Sequence, residues 1–348
     1  MKRARVVLAV LDAFPFGAVE ANRTPTLFAL AEQGVYVESG GEAVLSASTY
    51  PNHASLVTGK SPSEHGIFTS HSWTSGEPVA AQEAGPSART LFEDCRDADR
   101  RAIALLGDQN LVGVCGASEA DAHWPPNGVL PPSAPLGRLG YGADRAVVGA
   151  MDGLDPATAD FIFIQLDEVD TARHLEGPWN QEVEKQCQAT DAALGEILER
   201  LKPDWSETLV IVVSDHDHEK VDPGAVDLAA YAREQGLDLK IDHDGTSALV
   251  VGRVDASDLA EFPAVVGMQR LAVDKTLVWG GPGVQFGYDW NLAAHHGSPR
   301  TAGQLVVVGG GHPSAPSLGE RLRKTEPRCT DWADWIRAFL DLGGISAR

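Results

Sequence analysis

A chain of 348 residues, 43% of them apolar, is long enough to bury one large core or two modest ones. Its formal net charge of −21, with only 28 lysines and arginines, leaves nothing basic to neutralise a row of phosphates. This excludes a nucleic-acid-coating or membrane-surface protein and leaves room for a single small phosphate ester.

From the N-terminus, "MKRARVVLAVLDAF" imitates a secretory leader, but Asp12 interrupts the apolar run early and no small-residue cleavage site follows. The segment therefore reads as a first core strand, "RVVLAVL". "TPTLFALAEQG" follows with helical periodicity, then a short helix of roughly Pro51 to Thr58 within "STYPNHASLVTG". Pro51 suits the first helical position and Gly59 the left-handed residue past the last turn. "ARTLFEDCRDA" is a further helix, "RAIALLG" a strand, "DFIFIQL" a strand, and "NQEVEKQCQATDAALGEILERL" a long helix. "TLVIVVS" and, near the end, "QLVVVGG" complete a set of buried strands that reads as parallel; "TDWADWIRAFLDLG" is a final amphipathic helix.

Strands alternating with helices imply a doubly wound α/β fold with a mostly parallel sheet. From about Lys220 to Trp290 the alternation breaks into short mixed segments, read as an inserted α+β cap; residues 1–219 and 291–348 then form the core. A cap placed there would overhang the strand ends, where open α/β sheets bind ligands. The 36 glycines and 21 prolines are dispersed, with no repeat and no low-complexity linker. Cys95, Cys115, Cys187 and Cys329 are far apart without a C-x-x-C pairing, which fits reduced thiols of a cytoplasmic protein better than a secreted disulfide framework. No stretch is long and apolar enough to span a bilayer as a helix.

Three apolar runs finish on acid: Asp12 after the first, Asp167 and Asp170 after "FIFIQL", Asp215 with His216 after "TLVIVVS". In a parallel sheet these ends converge on one edge, and such crowding of like charge is costly without a cation. Asp170 and His174 are four apart and would share a helix face; "AAHHGSPR" adds His295 or His296. Mixed Asp and His donors suit zinc, or manganese where oxygen and water ligands complete the shell. Asp12, Asp170, His174, Asp215, His216 and His296 are too many for one tetrahedral ion, so two are expected, roughly 4 Å apart as in sites that displace at phosphorus. Alone, Thr49 or Ser48 would be a helix cap. Beside a cation and a helix N-terminus, Thr49 Oγ becomes a candidate nucleophile.

At these residues the sequence resembles the alkaline phosphatase superfamily, and within it the nucleotide pyrophosphatase/phosphodiesterase branch. "STYPNHASLVTGKSPSEHGI", "DEVDTARHLEGP", "SDHDHE" and "HHGS" are similar, in order, to that branch's nucleophile segment, Asp-His-Gly-Pro segment, Ser-Asp-His turn and late His-Gly. The resemblance implies an alkaline phosphatase-like core and two Zn²⁺ ions: one on Asp12, Thr49, Asp215 and His216, the other on Asp170, His174 and His296. His296 is chosen because it precedes Gly297, and Asp167 is left as a supporting carboxylate. His53, His65, His218, His243 and His312 have no motif role.

The resemblance departs at "HGIFTSHSW", where family diesterases carry an asparagine that donates to the phosphoryl group. Ser70 stands at the expected position, with His71 next to it as the other candidate for substrate contact. The implied function is hydrolysis of phosphodiester or nucleotide pyrophosphate bonds through a phospho-threonine intermediate. The alternatives are a phosphonoacetate hydrolase-like C–P hydrolase or phosphomonoesterase on the same scaffold, and a catalytically silent metal-stabilised binding protein. "LLGDQNLVGV" lacks the lysines with which phosphonoacetate hydrolases hold a carboxylate. The expected partner is a small phosphorylated or phosphonate substrate, not a nucleic-acid polymer or a membrane.

Overall fold

The computed structural model describes residues 4–74 and 76–343; Met1–Arg3, the basic start of the leader-like segment, lie outside them. Strands β1 (Arg5–Leu11), β2 (Val35–Tyr36), β3 (Ala102–Leu106), β4 (Ala122–Trp124), β5 (Phe161–Leu166), β6 (Thr208–Val213) and β7 (Val306–Gly309) form the main sheet. Their order is β2-β7-β6-β1-β5-β3-β4, with β1 central. β5 and β6 run parallel to β1 and nearly level with it, Leu11 opposite Leu166 and Val10 opposite Val213.

The central strands are almost wholly apolar because both faces are covered. Along β1, Val6, Leu8 and Val10 face helices α2 (Thr49–Thr58) and α3 (Leu91–Asp97) and the last helix, contacting the cluster of Leu56, Phe92, Trp332 and Ile336. Val7, Ala9 and Leu11 face the other layer, which holds Leu27, Val147, Leu194 and Ile197. These come from α1 (Pro25–Gln33), α4 (Asp144–Met151) and α6 (Gln181–Glu199). Helix α5 (Glu168–Glu176) follows β5 directly, and α7 (Asp331–Leu340) closes the chain.

β7 corrects one expectation. It is antiparallel to β6, with Val306 opposite Val213 and Gly309 opposite Val210. The chain reaches it from Ser298–Thr301, on the edge where β6 ends, and Leu305 N–H is already bonded to Ser214 Oγ at 2.7 Å there. A strand entered from that edge runs back against its neighbour; its apolar run carries no sign of direction.

Between β6 and β7 lies a separate four-stranded antiparallel sheet, in order Lys240–Asp244, Ser247–Val251, Lys275–Gly280 and Val265–Ala272. Period-two alternation gives its second strand two jobs. Ala248 and Val250 pack on Leu228, Ala232, Leu259 and Phe262, from the helices and loop beside this sheet, whereas Leu249 and Val251 pack on Phe68 and Trp73 of the main body.

Candidate active site

The ends of β1, β5 and β6 place Asp12, Asp167 and Asp215 on one edge of the sheet, all buried. Helix α2 begins at Thr49, two residues before Pro51, and closes on Gly59 with φ 72°. Ser48 has the extended backbone of a cap residue but its hydroxyl does not cap. It donates instead to Asp244 Oδ2 at 2.7 Å, and Ser46 Oγ donates to the same oxygen. Asn52 fixes the approach to the helix, accepting from Val44 N–H at 2.8 Å and donating to the carbonyls of Ser46 and Ser48.

Thr49 Oγ1 lies 3.1 Å from His216 Nε2, which is 3.2 Å from Asp215 Oδ2 and 3.8 Å from Asp12 Oδ1. The other Asp215 oxygen accepts the N–H groups of Ala13 and His216, each at 3.0 Å. Gln165 Nε2 holds Asp12 Oδ2 at 2.7 Å. On the far side, Asp170 Oδ2 is 3.4 Å from His174 Nε2, and His174 Nδ1 donates to Ala294 carbonyl at 2.9 Å, which leaves Nε2 as the free lone pair. His296 packs 4.0 Å from the His216 ring, centroid to centroid. The structure thus brings Asp12, Thr49, Asp170, His174, Asp215, His216 and His296 together.

Electrostatically the cluster is unbalanced. Burial first, then the charges of Asp215, Asp170 and Asp167, push the Asp12 carboxyl well up. Burial also raises Asp215, but His216, His53 and the Ala13 N–H outweigh it and hold that group low. Burial, reinforced by neighbouring ring charges, holds His296 and His218 well down, as neutral imidazoles. Asp12 Oδ1, Asp215 Oδ2, His218 Nδ1 and His296 Nδ1 are buried and find no hydrogen-bond partner among the described residues. Unmatched carboxylate oxygens and neutral imidazoles at one place are a donor set that a divalent cation completes. The residues present therefore fit the metal the sequence implies.

A cavity of about 490 Å³ opens on this cluster. Thr49, Ser70, Asp170, His174 and His296 line it, as do Tyr50, Tyr141 and Trp290. Ser70 and His71 are separated: Ser70 is on the cavity wall, whereas His71 Nδ1 is turned onto Asp242, 3.1 Å away, and is not part of the lining. Asp167 is buried at the cavity and accepts from Thr171 Oγ1 at 2.9 Å.

Sequence reasoning missed several residues. Gln165 had a signal, a polar residue interrupting "FIFIQL"; it also accepts Asp108 N–H at 3.0 Å and so spans two acids. Arg173, inside "DTARH", is buried, donates to Ala13 carbonyl at 2.6 Å and pairs with Asp217 at 2.5 Å, bracing α5 against both the β1 and β6 ends. Asp244 and Asp242 reach in from the separate four-stranded sheet, and no local pattern marks them. His218 had no motif role, yet its Nε2 is 2.8 Å from Asp170 Oδ1. His53 donates to Thr49 carbonyl at 2.9 Å and lies 3.5 Å from Asp215 Oδ2.

Residues 6–267 match the family described as Type I phosphodiesterase / nucleotide pyrophosphatase. A bovine (Bos taurus) bis(5′-adenosyl)-triphosphatase is 26% identical over 227 residues, 61% of this chain and 47% of that protein. The chain spans less than half the length of the curated relatives it matches. Among solved structures, murine ectonucleotide pyrophosphatase/phosphodiesterase 5 superposes with a TM-score of 0.73 at 16% identity, covering 99% of this chain and 97% of that one. Phosphonoacetate hydrolase from Sinorhizobium meliloti 1021 superposes with a TM-score of 0.70 at 16% identity, covering 97% and 96%. At these identities the superpositions show a shared fold.

Proposed function

The chain belongs to the type I phosphodiesterase/nucleotide pyrophosphatase family of the alkaline phosphatase superfamily, and we propose that it hydrolyses phosphodiester or nucleotide pyrophosphate bonds with Thr49 as nucleophile. The observation that carries this reading is the placement of Thr49 Oγ1. It stands at a helix start, 3.1 Å from His216, on the wall of a cavity that Asp170, His174 and His296 also line.

Asp12, Thr49, Asp215 and His216 would hold one divalent cation, and Asp170, His174 and His296 a second. Bound there, such ions supply Lewis-acid polarisation of a phosphoryl group and lower the pKa of an adjacent hydroxyl. Thr49 Oγ1 then attacks phosphorus, the bond to the leaving oxygen breaks, and the leaving group departs with a proton. Water hydrolyses the resulting Thr49 phosphoester and restores the hydroxyl. The start of α2 faces the phosphoryl group with its unpaired N–H groups. His53, bonded to Thr49 carbonyl, keeps that first turn in place.

The cavity wall distinguishes substrates. Tyr50, Tyr141 and Trp290 offer flat aromatic surface, and the described lining residues include no lysine or arginine. Asp108 stands on that wall, with burial raising its carboxyl to about 6. An aromatic leaving group or nucleobase suits such a wall; the carboxylate of phosphonoacetate would meet acid instead of a cation. The test is kcat/KM of the zinc-loaded protein on an aryl nucleotide diester, an aryl phosphate monoester and phosphonoacetate. Diester preference supports the proposal; rapid phosphonoacetate cleavage with negligible diester activity overturns it.

A further inference from the structure

We propose that His218 is a fourth protein ligand to the cation held by Asp170, His174 and His296, so that this site is built from four carboxylate and imidazole donors while the one beside Thr49 has three and the Thr49 hydroxyl. The inference rests on the two-cation reading above and adds to it a residue and an asymmetry between the two positions.

One donor atom from each of Asp170, His174, His218 and His296 lies within 4.8 Å of the other three, and all four residues are buried. Tetrahedral zinc with bonds of about 2.1 Å needs ligand atoms roughly 3.4 Å apart. Asp170 Oδ2 and His174 Nε2 are 3.4 Å apart, and Asp170 Oδ1 and His218 Nε2 2.8 Å. The three imidazoles surround the same point: ring centroids are 4.4 Å apart for His174 and His218, 5.1 Å for His174 and His296, and 5.2 Å for His218 and His296.

The backbone that presents His218 is pinned. Asp217 N–H donates to Thr301 carbonyl and Asp217 Oδ1 accepts His218 N–H, both at 2.8 Å. Arg173, a cationic side chain that acts on the same ring, is paired with that same Asp217 carboxylate. The only hydrogen bond of the His218 ring among the described residues is to Asp170. A ring anchored this firmly and otherwise unpartnered is placed for ligation. Four carboxylate or imidazole donors characterise sites that hold an ion, whereas the site beside Thr49 offers three of them and a hydroxyl, a weaker donor until it loses its proton. The Asp170 site should accordingly bind its ion the more tightly of the two.

The experiment titrates metal-free protein with Zn²⁺ against a competing chelator, for the parent, His218→Ala and His218→Gln. Glutamine keeps a hydrogen-bond donor toward Asp170 but is a poor zinc ligand, so it separates ligation from orientation. Expected are two equivalents in the parent, with the tighter one weakened tenfold or more in both variants and the other changed less than twofold. A His218→Gln protein that holds both equivalents with parent affinity would make His218 a positioning residue and overturn the assignment. A second readout needs no variant: with one equivalent of zinc bound, X-ray absorption of the parent should count three imidazole ligands, and a count of two overturns the inference. A parent that binds no zinc removes the two-cation reading and this assignment together; a parent that binds two, unaffected by either substitution, removes this assignment alone.

Discussion

Thr49 Oγ1 and His216 Nε2 are 3.1 Å apart although 167 residues separate them in the chain. The contact joins the first turn of α2 to the loop leaving β6. Neither position has another reason to meet: Ser48 is tied to Asp244, and His216 Nδ1 contacts Asp217 carbonyl at 3.2 Å. A hydroxyl brought to an imidazole beside two acids is placed to lose its proton or to share a cation.

Replacing Thr49 by Ala should therefore separate binding from turnover. The carboxylates and imidazoles carry most of the cation affinity, so metal content should remain near that of the parent. Diester hydrolysis should fall by on the order of a thousandfold or more, as happens when a nucleophile is removed. Thr49→Ser should retain part of the activity and still trap phosphate covalently under acid quench. An alanine variant with parental kcat would mean that water attacks directly.

Removing the cations should cost stability as well as activity. Without them Asp12 is pushed up by burial and by the other acids of the cluster, a cost that bound cations relieve. Dialysis against a chelator should abolish hydrolysis and lower the melting temperature, and added Zn²⁺ should restore both. About two ions per chain should return on reconstitution. Full activity in a preparation shown by elemental analysis to be metal-free would sink the mechanism.

Much of the site is visible in one dimension because strand ends are punctuated. Asp12, Asp167 and Asp215 each follow an apolar run, and a sheet brings those ends to one edge whatever the loops do. The four-residue spacing of Asp170 and His174 needs only a helical turn, which α5 supplies. What sequence cannot show is approach from elsewhere. Asp244 meets Ser46 and Ser48 across 198 and 196 residues, through a sheet whose docking depends on Leu249 and Val251 burying against Phe68 and Trp73. His218 sits two residues past His216, in a loop whose direction is set by Arg173 and Thr301 and not by any periodicity. Strand direction was equally hidden: "QLVVVGG" is as apolar as its neighbours, and only the path from Ser298 makes β7 antiparallel.

His65 gives a pH dependence separable from the metal cluster. It is fully buried; Nδ1 accepts the Ile67 N–H at 3.2 Å, so the proton resides on Nε2 and is donated to Ser55 Oγ at 3.0 Å. Burial pulls its pKa down to about 4. Because that is below the value of about 6.5 in an unfolded chain, the unfolded state takes up this proton first as pH falls. The contribution of His65 to stability is therefore constant above about pH 6.5 and is lost progressively toward pH 4, by up to about 3 kcal/mol. Urea unfolding of metal-free parent and His65→Gln protein should show the parent losing its advantage over that interval. A difference between the two that stays constant from pH 7 to pH 4 would refute a neutral buried His65.

On the proposed reading, the segment Thr69–Trp73 sets which side chain would meet the phosphoryl group. Asp242 accepts from Thr69 Oγ1, from His71 Nδ1 at 3.1 Å and from Trp73 Nε1 at 2.8 Å. Burial opposes its ionisation, yet these three donors more than compensate and hold the carboxyl low. Alternate side chains of the segment thus face the four-stranded antiparallel sheet, and Ser70, between Thr69 and His71, is left on the cavity wall. One lost donor to a phosphoryl oxygen typically lowers kcat by about a hundredfold or more. Ser70→Ala should show that loss on an aryl nucleotide diester, and Ser70→Asn should keep or raise the rate. His71→Ala removes only one of three bonds to Asp242 and should change kcat/KM a few-fold at most, while Asp242→Ala, which frees the whole segment, should lower kcat/KM and thermal stability together. If His71→Ala proved severe and Ser70→Ala silent, the segment would have to turn off Asp242 when substrate binds, and the hydrogen bonds that hold it there would belong only to the free protein.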